Sequence, residues 1–313
     1  MESFRRAVID VGTNSVKLLV ADTKGECVTP LTEKSLQTRL GSGFYQTCRL
    51  RPDSIEKTAQ AVANFVREAG HWNPERIRVI ATSAARDALN RSELLVAIEE
   101  SSGLGAQVIT GEQEADWVFR GVTTDSSLWD RTLMILDVGG GSAEFILGKG
   151  TTQYFRASFH LGTVRLLERL QLSDPPSKND WNDCHNRILE FIEKEIRPAV
   201  GPQLQSHSSS PVQFIGTGGT ATILGRMQLQ MESFDRPALE ALLLTQADVF
   251  HHRELLWKLP LEERRCITGL PPSRADVILA GSAIISTVME HFEFPTLRVS
   301  TRGLRFAAIL DER

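Results

Sequence analysis

Two aspartates stand where an apolar run enters a glycine turn. The first is Asp10 in Val8-Ile9-Asp10-Val11-Gly12-Thr13-Asn14-Ser15, and the second is Asp137 in Ile135-Leu136-Asp137-Val138-Gly139-Gly140-Gly141-Ser142. Glycine permits backbone angles that aim several N–H groups into one concavity, which suits a phosphate group. The hydroxyls of Thr13, Ser15 and Ser142 add hydrogen bonds. A carboxylate beside such a cradle repels phosphate unless a cation lies between them. Mg2+, which prefers one or two carboxylates plus phosphate oxygens, removes the conflict at Asp137. One such turn is compatible with an ordinary glycine-rich hairpin; two matching turns with matching aspartates favour phosphate chemistry.

A third glycine turn, Gly216-Thr217-Gly218-Gly219-Thr220-Ala221, lies between a strand and a helix. With Asp235 downstream it satisfies a loose dinucleotide-binding pattern. Its place deep in the chain favours a further phosphate- or nucleotide-facing loop instead. No G-x-x-x-x-G-K-[ST] segment occurs, which argues against a P-loop enzyme. Glu112 and Glu114 follow Thr110-Gly111 at the start of a helix, where acids serve the helix dipole as readily as catalysis. Arg86, in Thr82-Ser83-Ala84-Ala85-Arg86, suits a phosphate or a surface acid. From Lys34 to Arg51 the chain carries Lys34, Arg39, Arg49 and Arg51 and no acid, which makes either a polyanion lip or a solvated face. His251-His252 has no matching ligand set and reads as exposed, and the absence of any His-Asp dipeptide argues against an HD phosphohydrolase module.

The elements that must position these groups repeat. Asp10 and Asp137 are 127 residues apart, and each glycine turn leads into a second apolar run, Val16–Val20 or Ala143–Leu147. This predicts two related domains, each opening with a hairpin of two buried strands. Between the hairpins, an amphipathic helix over 52–69, a strand over 77–80, a helix from an Asn90/Glu93 capping box to about 100, a strand over 107–109 and a helix from Gly111 alternate. That alternation predicts a mostly parallel sheet covered by helices. Further on come a helix from Ser177 to about Ile196 stopped by Pro198, a polar loop over 205–211, a strand over 212–215, mostly helices to Met289, a strand over 297–300 and a short terminal helix. The domain boundary falls near Thr124–Ser127.

The chain has 313 residues and a net charge of −4, with 41% apolar and 24% charged residues. This is enough apolar material for a core, and there is no basic field of the kind that holds nucleic acid non-specifically. The four cysteines match no metal or disulfide spacing, which suits a reduced, cytoplasmic protein. The Met1–Arg6 start lacks a signal peptide's apolar stretch, and no apolar run is long enough to span a bilayer, so no membrane partner is expected.

Taken with Leu161-Gly162-Thr163-Val164-Arg165, Arg274-Ala275-Asp276-Val277-Ile278 and Val299-Ser300-Thr301-Arg302-Gly303-Leu304-Arg305, these segments stand in the order of a known family. The chain resembles the exopolyphosphatase/guanosine pentaphosphate phosphohydrolase family, in its short form without the C-terminal HD-like region, within the actin–hexokinase–Hsp70 superfamily. Ala143 departs from the family, standing where Thr is common. The resemblance implies an α/β fold of two actin-like domains around a central cleft: residues 1–125 with the terminal helix 302–313 packed back on them, and residues 126–301. It implies that Glu114 is the catalytic acid that orients and deprotonates water, and that Asp137 and Glu144, with Asp10 opposite, serve Mg2+. Phosphate is expected to meet Arg86, Thr13, Asn14, Ser15, Gly139, Gly140, Gly141, Ser142, Gly218, Gly219 and Thr220. The implied activity is Mg2+-dependent release of orthophosphate from inorganic polyphosphate, with K+ as a further activating ion and a homodimer as the assembly. Hydrolysis of guanosine pentaphosphate and a kinase of the same superfamily stand as alternatives.

Overall fold

The computed structural model describes residues 2–207 and 211–311. The chain forms two compact units, Met1–Thr124 with Gly303–Arg313, and Asp125–Arg302.

In the first unit β1 (Phe4–Val11), β2 (Val16–Lys24) and β3 (Cys27–Leu36) lead through α1 (Phe44–Thr47) and α2 (Pro52–Gly70) to β4 (Arg76–Ala81). Then come α3 (Ser83–Asp87), α4 (Arg91–Ser102), β5 (Ala106–Val108) and α5 (Gly111–Val122). The sheet order is β3-β2-β1-β4-β5. The first three strands are antiparallel neighbours, whereas β1, β4 and β5 run parallel. Ile9, Val11, Leu18 and Val20 pack with Val62 of α2 and Leu94 of α4 in one apolar cluster. Burying each such side chain contributes roughly 1.5–3 kcal/mol.

The second unit begins with β6 (Thr132–Val138), β7 (Ala143–Lys149) and β8 (Thr152–Phe159), followed by α6 (Thr163–Leu167) and α7 (Lys178–Phe191). A π-helical turn, Ile192–Ile196, joins α7 to α8 (Arg197–Ser206). The unit continues with β9 (Val212–Thr217), α9 (Gly218–Gln228), α10 (Arg236–Ala241), β10 (Leu243–Thr245), α11 (Gln246–Lys258), α12 (Leu261–Arg264), α13 (Ile278–His291) and β11 (Thr296–Val299). Read from the β8 edge, its sheet runs β8-β7-β6-β9-β11-β10. The first five positions repeat the order of the first unit, with β11 in the place of β5. The repeat extends to single bonds: Gly12 N–H donates to Ser15 O at 3.0 Å, and Gly139 N–H donates to Ser142 O at 2.9 Å.

The last helix, α14 (Leu304–Ala308), belongs to the first unit. It packs on α5, where a side chain at Gly121 would overlap the Gly303 carbonyl. Arg6 and Arg78 hold its end by donating to Ile309 O and Ala308 O, each at 3.3 Å.

Several local expectations need correction. Each hairpin is a three-stranded meander, because β3 and β8 are edge strands with mixed polar faces and β3 carries Pro30, which an edge tolerates. The three-residue strand β10 lies inside the stretch expected to be helical. Pro198 does not stop the helix. The wider π turn immediately before it offers its ring room that a regular α turn denies, and helix continues to Ser206. Asn90 makes no capping bond to α4; its side chain instead accepts from Leu50 N–H at 2.8 Å and donates to Leu50 O at 3.0 Å. His252 is buried, with Nε2 at 2.8 Å from Gln228 Oε1, and burial pushes its pKa down. Part of the polar loop over 205–211 lies outside the described residues.

Candidate active site

In the first unit the parallel strands β1, β4 and β5 end side by side, with Val11 opposite Ala81 and Ala81 opposite Val108. The segment after each strand carries a chemically able residue, and the carboxyl ends of parallel strands are where α/β sheets gather ligands. After β1 comes the Gly12–Ser15 turn. Its carbonyls are occupied, since Gly41 N–H donates to Thr13 O at 2.8 Å and Arg39 N–H to Asn14 O at 3.1 Å. Gly41 is required there because a Cβ would overlap the Thr13 methyl. Three polar side-chain atoms at the turn are buried without a hydrogen-bond partner among the described residues: Asp10 Oδ1, Thr13 Oγ1 and Asn14 Nδ2. Such atoms cost about 1–3 kcal/mol each unless something satisfies them. Burial pushes the Asp10 carboxyl pKa above its ordinary value, and the charges of Lys17 and Arg305 pull it partly back.

After β4, Thr82 N–H donates to Val11 O at 3.1 Å, which docks the start of α3 beside the turn. Ser83 Oγ is buried there without a partner among the described residues. Nothing in the sequence separated Ser83 from its small neighbours, so the isolation of its hydroxyl emerges only in the fold. Arg86 extends from α3 to the segment after β5. Its Nη1 donates to Glu114 Oε2 at 2.9 Å and to Ile109 O at 3.3 Å. The two side chains are 18% and 12% exposed, so the pair is largely shielded from water. The cap of α5 is a different residue: Thr110 Oγ1 accepts from Gln113 N–H at 3.1 Å. Glu114 is thus not needed as the helix cap, and its carboxylate is turned toward the Arg86 guanidinium.

In the second unit β6, β9 and β11 play the same part. Asp137 stands opposite Glu144 across the β6–β7 hairpin, and opposite Thr217 on β9. Directly opposed residues of a hairpin project from one face, so the two carboxylates are neighbours. Glu144 is 1% exposed and accepts from Ser158 Oγ at 2.7 Å. Gly218 opens α9 at φ +79°, and a Cβ there would fall on Asp137 Oδ1. The missing side chain lets the carboxylate approach the first turn of α9. Thr220, one turn in, is buried against Gly281.

In the Gly139–Ser142 turn the carbonyls are again occupied. Val164 and Arg165 N–H donate to Gly140 O at 2.9 and 3.1 Å, and Arg165 Nε donates to Gly141 O at 2.7 Å. The Gly162 backbone lies against Gly140 and Gly141, with no room for a Cβ. Gly139 N–H is spent on Ser142 O, so with the Gly140 and Gly141 carbonyls held from behind, the amides the turn can offer an anion are those of Gly140, Gly141 and Ser142. Arg274 Nη1 would lie 3.6 Å from a Cβ at Gly219, and neither its motif nor that of Arg165 marks a role along the chain.

The expected sites therefore gather as two sets, one per unit. Asp10, Thr13, Asn14, Ser15, Arg86 and Glu114 form the first; Asp137, Gly139–Ser142, Glu144 and Gly218–Thr220 form the second. Asp235 joins neither: it caps α10, accepting from Ala238 N–H at 3.1 Å. Three of the four cations of the basic run meet acids from outside it, Lys34 with Glu68 at 2.7 Å, Arg49 with Glu93 at 3.2 Å and Arg51 with Asp53 at 3.0 Å. The run is acid-free only in sequence. All four cysteines are free thiols, and no helix among the described residues is long and apolar enough to cross a membrane.

Residues 19–312 match the model of the Ppx/GppA phosphatase family. The chain is 31% identical over 291 residues to exopolyphosphatase 2 of Mycobacterium tuberculosis, covering 90% of this chain and 88% of that one. Among solved structures it is similar to an exopolyphosphatase from Cytophaga hutchinsonii, with 26% identity, a TM-score of 0.87 and coverage of 98% of this chain and 96% of that one. It is also similar to the PPX-GPPA enzyme of Aquifex aeolicus, with 30% identity, a TM-score of 0.78 and coverage of 99% and 100%. Both units have the actin-like fold, and the chain belongs to the Ppx/GppA phosphatase family, as a phosphoanhydride hydrolase.

Proposed function

We propose that this protein is a Mg2+-dependent exopolyphosphatase that cuts the terminal phosphoanhydride of inorganic polyphosphate and releases orthophosphate. The observation that carries this reading is the buried set of unsatisfied polar atoms at the Asp10–Ser15 turn. Thr13 and Asn14 offer donors suited to phosphate oxygens, and Asp10 offers an acceptor suited to a cation or its water. The relatives named as exopolyphosphatases support the choice of substrate.

The donor set also suits Mg2+. Among the described residues no three His, Cys, Asp or Glu side chains gather as a metal cage. Mg2+ needs no such cage, because it keeps waters and takes one or two carboxylates plus phosphate oxygens. Asp137 and Glu144, adjacent on one hairpin, are the residues that would hold it. Held there, Mg2+ would supply charge neutralisation for the phosphates and the leaving group.

In this mechanism the amides of Gly140–Ser142 and of the first turn of α9 are the phosphate donors of the second unit, and Arg86 is the phosphate-binding cation of the first. Glu114, held in one orientation by Arg86, positions the attacking water and accepts its proton at a carboxylate oxygen. The products are orthophosphate and a chain one unit shorter. Guanosine pentaphosphate ends in the same triphosphate anhydride and is the second reading. The deciding assay is phosphate release from long polyphosphate, tripolyphosphate, guanosine pentaphosphate and ATP, side by side with Mg2+. Preference for polyphosphate supports the proposal; release from guanosine pentaphosphate alone overturns it.

A further inference from the structure

A cavity of about 220 Å3 opens in the second unit between α6 and the stretch that runs from α7 into the π turn. Its walls carry five basic side chains, His160, Arg165, Arg169, Arg187 and Lys194, against two acids, Glu190 and Glu195. In a chain with a net charge of −4, this is a local excess of positive charge. On the far wall, residues 187, 190, 191, 194 and 195 recur at helical spacing, so one face of a continuous helix supplies that side.

The cavity is joined to the glycine turn through α6. Arg165 lines the cavity, donates from Nε to Gly141 O at 2.7 Å and lies with Nη2 3.2 Å from His160 Nδ1. The backbone before it is locked to the same turn, with Thr163 N–H donating to Gly139 O at 3.0 Å. An anion seated in the cavity and a phosphate at the glycine turn would therefore be held by one rigid body.

We infer that this cavity is an anion subsite for phosphates of the substrate chain beyond the one being cut. The inference rests on the polyphosphate reading above. Arg169 is exposed on the wall, and among the described residues Arg187 and Lys194 are engaged by neighbours on their own helix, Asp183 at 3.0 Å and Glu190 at 2.6 Å. Exposed i,i+4 pairs of this kind hold weakly, so both cations can turn to a phosphate. When Lys194 turns to a phosphate, Glu190 and Glu195 are the two acids on the wall, against Arg165, Arg169, Arg187 and Lys194. The volume equals about seven waters and falls below the roughly 300 Å3 at which pockets for larger organic ligands begin. It suits a short run of phosphates better than a whole nucleoside. Arg165 is then a positioning residue, tying the grip on the distal chain to the turn that seats the reacting end.

The test uses the full chain with Arg169→Glu, the double variant Arg169→Glu/Arg187→Glu, and Arg169→Lys. The readouts are KM for long polyphosphate, KM for tripolyphosphate, and amide hydrogen exchange of residues 160–169 and 187–195 with long polyphosphate in EDTA. The long-to-short KM ratio is expected to rise about fivefold in the single variant and more in the double, with Arg169→Lys recovering most of it. Lys258→Glu, an equal charge change away from the cavity walls, is the control and leaves the ratio unchanged. Long polyphosphate is expected to slow exchange in both segments of the unsubstituted protein and in neither segment of the double variant. An unchanged KM ratio, or no slowing in a protein that does hydrolyse polyphosphate, overturns the subsite alone. Hydrolysis of neither long nor short polyphosphate overturns the substrate reading, and the subsite with it.

Discussion

Glu114→Gln separates a catalytic carboxylate from a structural one. The substitution keeps the size of the side chain and an oxygen that accepts from Arg86 Nη1, but it removes the charge and the ability to take a proton. The contact it weakens is the 2.9 Å pair with Arg86, largely shielded from solvent. A hydrogen bond to a charged acceptor contributes about 1.5–3 kcal/mol and a neutral one about 0.5–1.5. The structural cost is then about 1 kcal/mol, because Arg86 keeps Ile109 O and has Asp87 Oδ1 3.6 Å from its Nε. In a domain of this size that lowers Tm by about 2–4 °C. Loss of a general base lowers kcat by roughly 10²–10⁴. Substrate affinity should hold or improve, since a negative charge near the phosphates has gone. The assay is kcat, polyphosphate binding and Tm on one preparation, with Thr110→Ala as the comparison. Thr110 is the cap of α5, and its removal should cost about 1 kcal/mol with kcat nearly intact. A Glu114→Gln protein with normal kcat and a Tm lowered like that of Thr110→Ala would refute the catalytic assignment.

Four further outcomes are expected. Chelation by EDTA should abolish phosphate release and Asp137→Asn should leave little of it; full activity in EDTA would remove the metal from the mechanism. The folded Asp10 carboxyl has its pKa raised by burial above the ordinary 3.8, so the folded state binds its proton more tightly and stability falls as pH rises from there through the folded pKa. Asp10→Asn should therefore raise Tm at pH 7, lose that advantage near pH 3 and reduce activity; an equal Tm difference at both pH values would contradict the buried charge. Gly218→Ala must adopt φ +79° and crowd Asp137, so it should cost at least 1–2 kcal/mol and lower kcat, whereas a silent substitution would show that Asp137 does not need that approach. Neutralising Lys34, Arg49 and Arg51 together breaks three exposed ion pairs and should change KM for long polyphosphate by less than about twofold; a large rise would restore this run as a polyanion lip.

The repeat, the two Asp–glycine turns and the alternation of strand and helix were legible in the chain because each depends on local properties. Apolar runs of strand length define β1, β2, β6 and β7, and glycines mark turns that other residues resist. The edge strands β3 and β8 were not legible, because one face of an edge is open to water and the apolar signal is diluted. Asn90 followed by Glu93 has the spacing of a capping box, yet a contact to Leu50, 40 residues away, claims the side chain. His252 stands beside another histidine on a polar helix, and only Gln228 packed against it shows that it is buried. The basic run from Lys34 to Arg51 is acid-free along the chain, but folding brings Glu68 and Glu93 to it.

The candidate site divides in the same way. Residue types and spacing named Asp10 and Asp137, because glycine turns are local patterns, whereas roles for Arg86, Glu114 and Glu144 came only with the family resemblance. Whether Glu114 caps its helix or faces a cation was undecided along the chain, since both roles call for an acid in the first turn. The fold decides it by giving the cap to Thr110 and placing Arg86, from a separate parallel crossover, 2.9 Å from the Glu114 carboxylate. Ser83 and Arg165 acquire meaning only when distant segments meet: one hydroxyl is left buried without a partner among the described residues, and one guanidinium holds the carbonyl side of a glycine turn. Sequence sets the local conformations and supplies the chemical groups; which groups meet, and which are left unsatisfied, depends on contacts between residues far apart in the chain.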